Sequence, residues 1–326
     1  MHPAHSLIVF TSLSGLGFGM LFWMGLGLTW ARYEVPTGAL FLAYALAFGL
    51  AVSGLVASLF HLSHPERAWR AFSQWRTSWL SREGVAAVAT LLVMGLFALA
   101  HLLFIELHEP FRFRPADGAL GVVTVLLGWL GALMCLATIV CTAMIYASLR
   151  AVPRWNRWST PVLFAMFALA GGALLNLLFL PALLLLVVLP LVQAWAFVSG
   201  DRALTEAGTT LGTATGLDRV GGGARVRLFE PPHTGPNYLT REMVFRVGRK
   251  HRARLRLVAL SCAGALPALL VLAGLVLGSV ALLLAALLVH LVGLFASRWL
   301  FYAEAEHVVG LYYGAHQTTG TQPATA

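Results

Sequence analysis

The chain has 326 residues, of which 59% are hydrophobic and only 11% are charged. Soluble domains carry about a quarter charged residues, and the mean hydropathy here is +0.80, so the composition excludes a soluble domain. The formal net charge of +9 would favour nucleic acid as a partner of a soluble protein. Here the arginines stand between apolar runs, so they are better interpreted as charges that set membrane topology, and we expect no nucleic-acid partner.

Apolar runs of about 18 residues or more indicate membrane spans. The predicted spans are 6–30, 37–60, 84–107, 118–148, two within 158–200 separated by a turn at 176–181, 257–277 and 280–301. In the first span, Gly15 and Gly19 form a small-xxx-small pair, which lets helices approach closely in lipid. We therefore predict an all-α integral membrane protein, a bundle of eight transmembrane helices forming a single membrane-anchor domain (1–326).

The distribution of the basic residues tests the predicted number of transmembrane helices. One long hydrophilic segment, 201–256, contains eleven basic and five acidic residues. If the N-terminus is cytoplasmic, the cytoplasmic loops and the inner end of the last span hold nineteen of the 22 basic residues, and the outside turns hold three. This bias follows the positive-inside rule. It predicts that both termini are cytoplasmic and that 200–256 is a long basic cytoplasmic loop.

The spans contain few groups for chemistry. No Asp, Glu, Lys or Arg lies deep in a predicted span, which disfavours an ion-coupled transporter. His101 and His290 lie within spans and would be the axial ligands of a haem b quinol-oxidising cytochrome. They differ in depth, so hydrogen bonding within the bundle is the favoured interpretation. The three cysteines lack the spacing of a cluster or zinc site, so no metal site is predicted.

The loop at 60–85 concentrates the polar residues of the membrane-proximal chain. It reads FHLSHPERAWRAFSQWRTSWLSREGV and contains four arginines, two histidines, three tryptophans and two glutamates. Quinone chemistry moves electrons and protons together, so a quinone site needs a hydrogen-bond donor and a proton carrier. His61 fits the first role, and Glu83, at the start of the next span, fits the second. A solvated basic loop with structural histidines is the alternative.

This loop resembles the corresponding segment of the dimethyl sulfoxide reductase membrane-anchor family. Residues 229–256, FEPPHTGPNYLTREMVFRVGRKHRARLR, and 298–314, RWLFYAEAEHVVGLYYG, are similar to it as well. The resemblance implies a subunit of the bacterial inner membrane without a substrate-converting site of its own. Such a subunit exchanges electrons between a quinone, menaquinone or ubiquinone, and an iron–sulfur subunit, which connects to a molybdopterin catalytic subunit in a heterotrimer.

The resemblance also assigns residues. The family's quinone-site histidine falls on His61 and its glutamate on Glu83, while the sequence HLSHP leaves a shared role for His64 open. The candidate quinone-binding residues are His61, His64, Arg67, Trp79 and Glu83, with Glu83 as the proton carrier. The candidate partner-docking residues are Arg70, Arg76, Arg241, Arg246, Arg249 and Lys250.

Orientation separates two branches of the family. The arginine-rich loops and the candidate quinone site share the face that the charge bias makes cytoplasmic. Anchors of sulfite-oxidising complexes, which have cytoplasmic catalytic subunits and deliver electrons to quinone, fit that orientation. The alternative is the anchor of a dimethyl sulfoxide reductase, which oxidises menaquinol and whose exported catalytic pair docks on the opposite face.

Overall fold

The computed structural model describes residues 3–27, 37–107, 118–217, 226–230 and 251–313, and this part of the chain is helical without strands. The α-helices are α1 (His5–Gly25), α2 (Thr37–Ala57), α3 (Trp79–Leu107), α4 (Gly118–Ala147), α5 (Ser159–Leu175), α6 (Phe179–Glu206), the short α7 (Leu211–Thr215), α8 (Arg252–Leu277) and α9 (Val280–Ala303). Seven of them are long and apolar enough to cross a membrane, and α5, with 17 residues, is shorter. The prediction of an all-α multi-span membrane protein is confirmed; the count of eight spans stays a prediction.

Several helices extend beyond the apolar runs that predicted them. The third helix begins at Trp79 rather than at residue 84, and α6 continues to Glu206. The next long helix begins at Arg252, so the predicted loop 200–256 is helical at both ends. Arginine and glutamate tolerate helical conformation and extend their charged ends towards the membrane surface, so a helix need not end where its apolar run ends.

The first helix packs closely against its neighbours through small residues. It contacts α2, α4 and α5. A Cβ atom on Gly19 would lie 1.9 Å from the backbone oxygen of Ala168 in α5, and one on Gly172 would lie 2.2 Å from the carbonyl carbon of Gly19. The backbones of α1 and α5 therefore meet at Gly19 with no room for a side chain. A Cβ on Gly15, the other member of the predicted pair, would make only an ordinary contact of 3.8 Å with the Ala168 side chain.

A π-helical turn, Ser261–Ala265, interrupts α8 where α9 crosses it. A Cβ on Gly293 of α9 would lie 2.0 Å from the Ala263 nitrogen. His290, one turn earlier on α9, donates from Nδ1 to the Ala263 carbonyl over 2.7 Å. The histidine therefore satisfies a carbonyl in the stretch where the regular α-helical hydrogen-bond pattern changes.

The start of α1 and the end of α9 lie at one end of the bundle. The Tyr302 hydroxyl oxygen in α9 lies 3.5 Å from the Leu7 carbonyl oxygen in α1. The connection between α4 and α5 joins them there, because the Trp155 indole donates to the Phe301 carbonyl over 2.9 Å. We call this the basic end of the bundle, since the arginines discussed below cluster at it.

Candidate functional site

The loop between α2 and α3 is ordered by two 3₁₀ helices. The first is Ser58–His61, and the second, which we call the loop helix, is Pro65–Gln74. The loop helix lies against the first turns of α3: the Ser81 hydroxyl donates to the Ala71 carbonyl. The ring of Phe72 lies 3.2 Å from the position that a Cβ on Gly84 would occupy. Gly84 therefore provides the space in which the loop helix docks.

Arg82 holds the end of this loop in place. Its guanidinium donates to the backbone oxygens of Trp75, over 3.1 Å from Nε, and Arg76, over 2.6 Å from Nη2. It also stacks 4.4 Å from the ring centroid of Trp79. These carbonyls follow the loop helix, where unpaired backbone oxygens are expected. Arg82 thus stabilises the loop, and it is the sequence neighbour of Glu83, the candidate proton carrier.

Glu83 is buried in the second turn of α3, with a residue exposure of 6%. Its one hydrogen bond within the described residues comes from Thr142 of α4, whose hydroxyl donates to Oε1 over 3.3 Å. Burying a carboxyl group among apolar helices is costly unless it is well paired. A single hydroxyl donor is a weak compensation, and such a placement is typical of a functional carboxyl. The sequence singled out Glu83 but not Thr142, because a threonine within an apolar span has no charge that marks it as a functional residue.

The remaining candidate quinone-binding residues surround this carboxyl less closely. Trp79 is half-buried beneath Arg82. His61 is exposed at the end of the first 3₁₀ helix, which contacts the loop helix. His64 and Arg67 are also exposed, and both approach Glu66, at 3.0 Å and 3.7 Å. In the described part of the chain no hydrogen bond joins His61 to Glu83; the loop helix contacts the elements that carry them.

The candidate docking residues fall into two groups. Arg70 and Arg76 project from the loop, with their guanidiniums 5.6 Å and 5.5 Å from the ring centroids of the adjacent, exposed Trp69 and Trp75. An alternation of exposed indole rings and arginines suits a membrane–water interface or a protein partner. Arg241, Arg246, Arg249 and Lys250 lie outside the described residues.

A network of ion pairs at the basic end was not predicted. Its members, which we call the arginine–carboxylate cluster, are Arg154, Asp201, Arg256 and Glu304. Arg256 binds Glu304 through two contacts, of 2.6 Å and 2.9 Å, and Asp201 through two more, of 2.8 Å and 2.6 Å. Arg154 bonds both acids, reaching Glu304 over 2.9 Å. The cluster ties together the α4–α5 connection and the ends of α6, α8 and α9.

The two histidines within spans are engaged in hydrogen bonds, as predicted. His101 Nδ1 lies 2.8 Å from the Tyr44 hydroxyl, and its ring stacks on Phe97 with a centroid separation of 5.6 Å. His290 donates to α8 as described above. Across the described ranges, no group of three or more His, Cys, Asp or Glu side chains is arranged to hold a metal ion.

Comparison with known proteins agrees with the family resemblance that the sequence motifs indicate. The family model of the DMSO reductase anchor subunit (DmsC) matches residues 1–303. A sulfite dehydrogenase subunit of Allochromatium vinosum is 33% identical to this chain over 329 aligned residues, which cover 96% of the chain and 99% of that protein. No solved structure matches. The resemblance inferred from three segments thus extends over nearly the whole length.

Proposed function

Since this chain belongs to the DMSO reductase anchor subunit (DmsC) family, we propose that it is the quinone-reactive membrane subunit of a molybdopterin and iron–sulfur oxidoreductase. The favoured complex is a sulfite dehydrogenase of the bacterial inner membrane, in which electrons from sulfite pass through an iron–sulfur subunit to quinone. The relative named as a sulfite dehydrogenase subunit supports this choice. A dimethyl sulfoxide reductase anchor that oxidises menaquinol is the second candidate, supported by the family description.

The proposed topology has eight crossings with both termini in the cytoplasm. An even number of crossings returns the chain to its starting face, and the Tyr302–Leu7 contact at the basic end supports an even number. At 1.5 Å per residue, the 17 residues of α5 extend about 25 Å. A hydrocarbon core is about 30 Å thick, so α5 with its flanking turns is long enough for the eighth crossing.

The residues of the loop fit a quinone head group. A bound quinone supplies chemistry that exchanges two electrons and two protons. His61 presents an exposed imidazole that donates a hydrogen bond to a carbonyl oxygen. Glu83, which is buried and forms a hydrogen bond with Thr142, would exchange a proton with a quinone oxygen atom. The buried position of Glu83 is the observation that carries the proposal, because a carboxyl group placed there for structure alone is costly.

The iron–sulfur subunit is proposed to dock at the same end. Arg70 and Arg76 are exposed there, beside the candidate quinone residues. Arginine-rich surfaces suit acidic docking surfaces and guide association through long-range attraction. This arrangement brings the electron donor close to the quinone, and it requires no haem or cluster in this chain.

The test is the binding of a quinone analogue to the complete membrane-embedded complex. We expect His61→Ala and Glu83→Gln to weaken binding, by about tenfold for the loss of one charged or strong hydrogen bond. Glu206→Gln is the matched control, because Glu206 is an exposed carboxyl at the same end of the bundle and pairs with Arg157, which is not a candidate quinone-binding residue. Unchanged affinity in both variants, with the complex assembled, would show that His61 and Glu83 are structural. Sulfite- and dimethyl-sulfoxide-dependent turnover of the same preparation then distinguishes the two candidate complexes.

A further inference from the structure

A cavity with a mixed lining of apolar and polar side chains lies at the basic end, bounded by α5, α6 and α9. Six of its polar lining residues are Arg154, Thr160, Gln193, Ser297, Arg298 and Glu304. The cavity has a volume of about 60 Å³. Since one water position takes roughly 10–15 Å³, the cavity has space for a group of roughly four to six heavy atoms. This is the size of a tetrahedral oxoanion.

Arg298 is the unusual member of this lining. Its residue exposure is 4%, and its guanidinium lies 3.7 Å from the ring centroid of Phe164 and 5.4 Å from that of Phe167. Among the described residues, its Nε has no hydrogen-bond partner and no carboxylate lies within ion-pair distance of it. A buried arginine normally has a paired anion. The cation–π contacts stabilise the guanidinium by less free energy than its desolvation costs.

The neighbouring charges do not supply the missing anion. Glu304 lines the same cavity, but it is bound by both Arg154 and Arg256. Asp201 is likewise bound by these two arginines. Arg252 also lies 3.7 Å from Asp201, so four guanidiniums face two carboxylates, and Arg298 is the cavity-lining arginine that has no carboxylate partner among the described residues. The cavity therefore favours a single anionic group.

Neutral donors complete the site. Gln193 is 2% exposed, and its amide donates to the Ser297 hydroxyl over 2.7 Å, leaving the amide oxygen without a partner. The two ends of a glutamine amide are assigned from the hydrogen-bond network. In the opposite orientation, Ser297 donates to the oxygen and the NH₂ group is free to donate to a ligand. In the present one, the oxygen accepts from a protonated oxoanion.

We propose that this cavity, which we call the Arg298 cavity, binds the phosphate group of an anionic ligand, with Arg298 as its main donor and Gln193 beside it. Arg298 lies five residues before the end of α9, a depth of roughly 7.5 Å along the helix. That depth is close to the membrane surface, where phospholipid phosphates lie. The two sources of such a group are an anionic phospholipid and free inorganic phosphate.

The experiment uses the assembled complex in detergent and has two arms, neither of which depends on quinone. In the first, inorganic phosphate replaces chloride at constant ionic strength, and the thermal unfolding midpoint of the membrane subunit is recorded. In the second, native mass spectrometry measures co-purified phosphatidylglycerol. We expect saturable stabilisation if the ligand is free phosphate, or retained lipid if it is a headgroup. Arg298→Gln should weaken either by at least about tenfold, as for loss of a charge-assisted contact.

Arg157→Gln is the matched control, because Arg157 pairs with Glu206 at the same end, and it should keep the wild-type ligand. If Arg298→Gln fails to assemble, Gln193→Glu provides a second test of the proposal. It places a carboxylate beside Arg298, so we expect an assembled complex that no longer responds to phosphate or retains lipid. The proposal is overturned if assembled Arg298→Gln or Gln193→Glu behaves like the wild type, or if the wild type shows neither response.

Discussion

The hydroxyl of Tyr302 in α9 donates a hydrogen bond of 2.8 Å to the hydroxyl of Tyr146 in α4. Both side chains are buried. Tyr146 follows Thr142, the partner of Glu83, by one helical turn, and Tyr302 follows Arg298 by one turn. The tyrosine pair therefore lies one helical turn from Thr142 on α4 and from Arg298 on α9, and its hydrogen bond links these two helices at the basic end.

The first prediction concerns this pair. Tyr302→Phe removes the donor and leaves the buried Tyr146 oxygen unpaired on that side, so we expect the free energy of unfolding to fall by about 1–2 kcal/mol. Tyr146→Phe and the double variant complete a cycle. The coupling energy should be about 0.5 kcal/mol or more, measured by denaturation of the complex in mixed detergent. Strictly additive effects would mean that the hydrogen bond contributes nothing.

The second prediction concerns the contact of α1 with α5. Gly19→Ala places a methyl group against the Ala168 backbone oxygen at 1.9 Å, so the helices must separate. Overpacking of this kind costs about 1–3 kcal/mol. Gly15→Ala is the control on the same helix, because its Cβ would meet only the Ala168 side chain at 3.8 Å. The yield and thermal midpoint of the assembled complex should fall for the first variant alone; equal effects would refute the close contact.

The positions of the helices were largely predictable because the length of each apolar run is matched to the bilayer. Their ends were not, since charged residues at 79–83 and 201–206 continue the helices beyond those runs. Glu83 was found because it stands at the start of a span in a loop rich in polar groups. Its burial and its Thr142 partner depend on how α3 packs against α4, which periodicity does not determine.

The environment of Arg298 was even less predictable from the sequence than that of Glu83. From the sequence Arg298 is one of nineteen basic residues assigned to the inner face, and although it lies within the last predicted span, nothing there shows that it lacks a carboxylate partner. Its isolation arises because Arg154, 150 residues from Glu304 in the chain, and Arg256 occupy the nearby carboxylates. Pairings between helices so far apart are set by the fold, so composition and spacing do not reveal which arginine is left over.

The third prediction tests the arginine–carboxylate cluster. The side chain of Glu304 is 3% exposed and is bound by two arginines. Glu304→Gln leaves Arg154 and Arg256, whose side chains are 14% and 16% exposed, with Asp201 as their one remaining carboxylate partner, and removal of one partner from a buried ion pair typically costs about 3–5 kcal/mol. Glu206→Gln breaks the pair with Arg157, but the Glu206 side chain is 54% exposed, and such surface pairs contribute about 0–1 kcal/mol. We therefore expect a large loss of thermal stability only for Glu304→Gln. Similar midpoints for the two variants would show that the cluster is not a stabilising element.

The last prediction separates docking from topology for the arginines of the loop. Arg70 and Arg76 are exposed and contact mainly their neighbouring tryptophans, so the double change Arg70→Glu and Arg76→Glu should leave the helical bundle stable. If these residues face an acidic partner, the iron–sulfur and catalytic subunits should dissociate from the membrane at a lower salt concentration, because the charge reversal turns attraction into repulsion. Arg114→Glu is the control, since the charge distribution assigns Arg114 to the opposite face. Membranes washed at increasing salt and probed for the retained catalytic subunit give the measurement; identical wash profiles for all three proteins would leave topology as the role of Arg70 and Arg76.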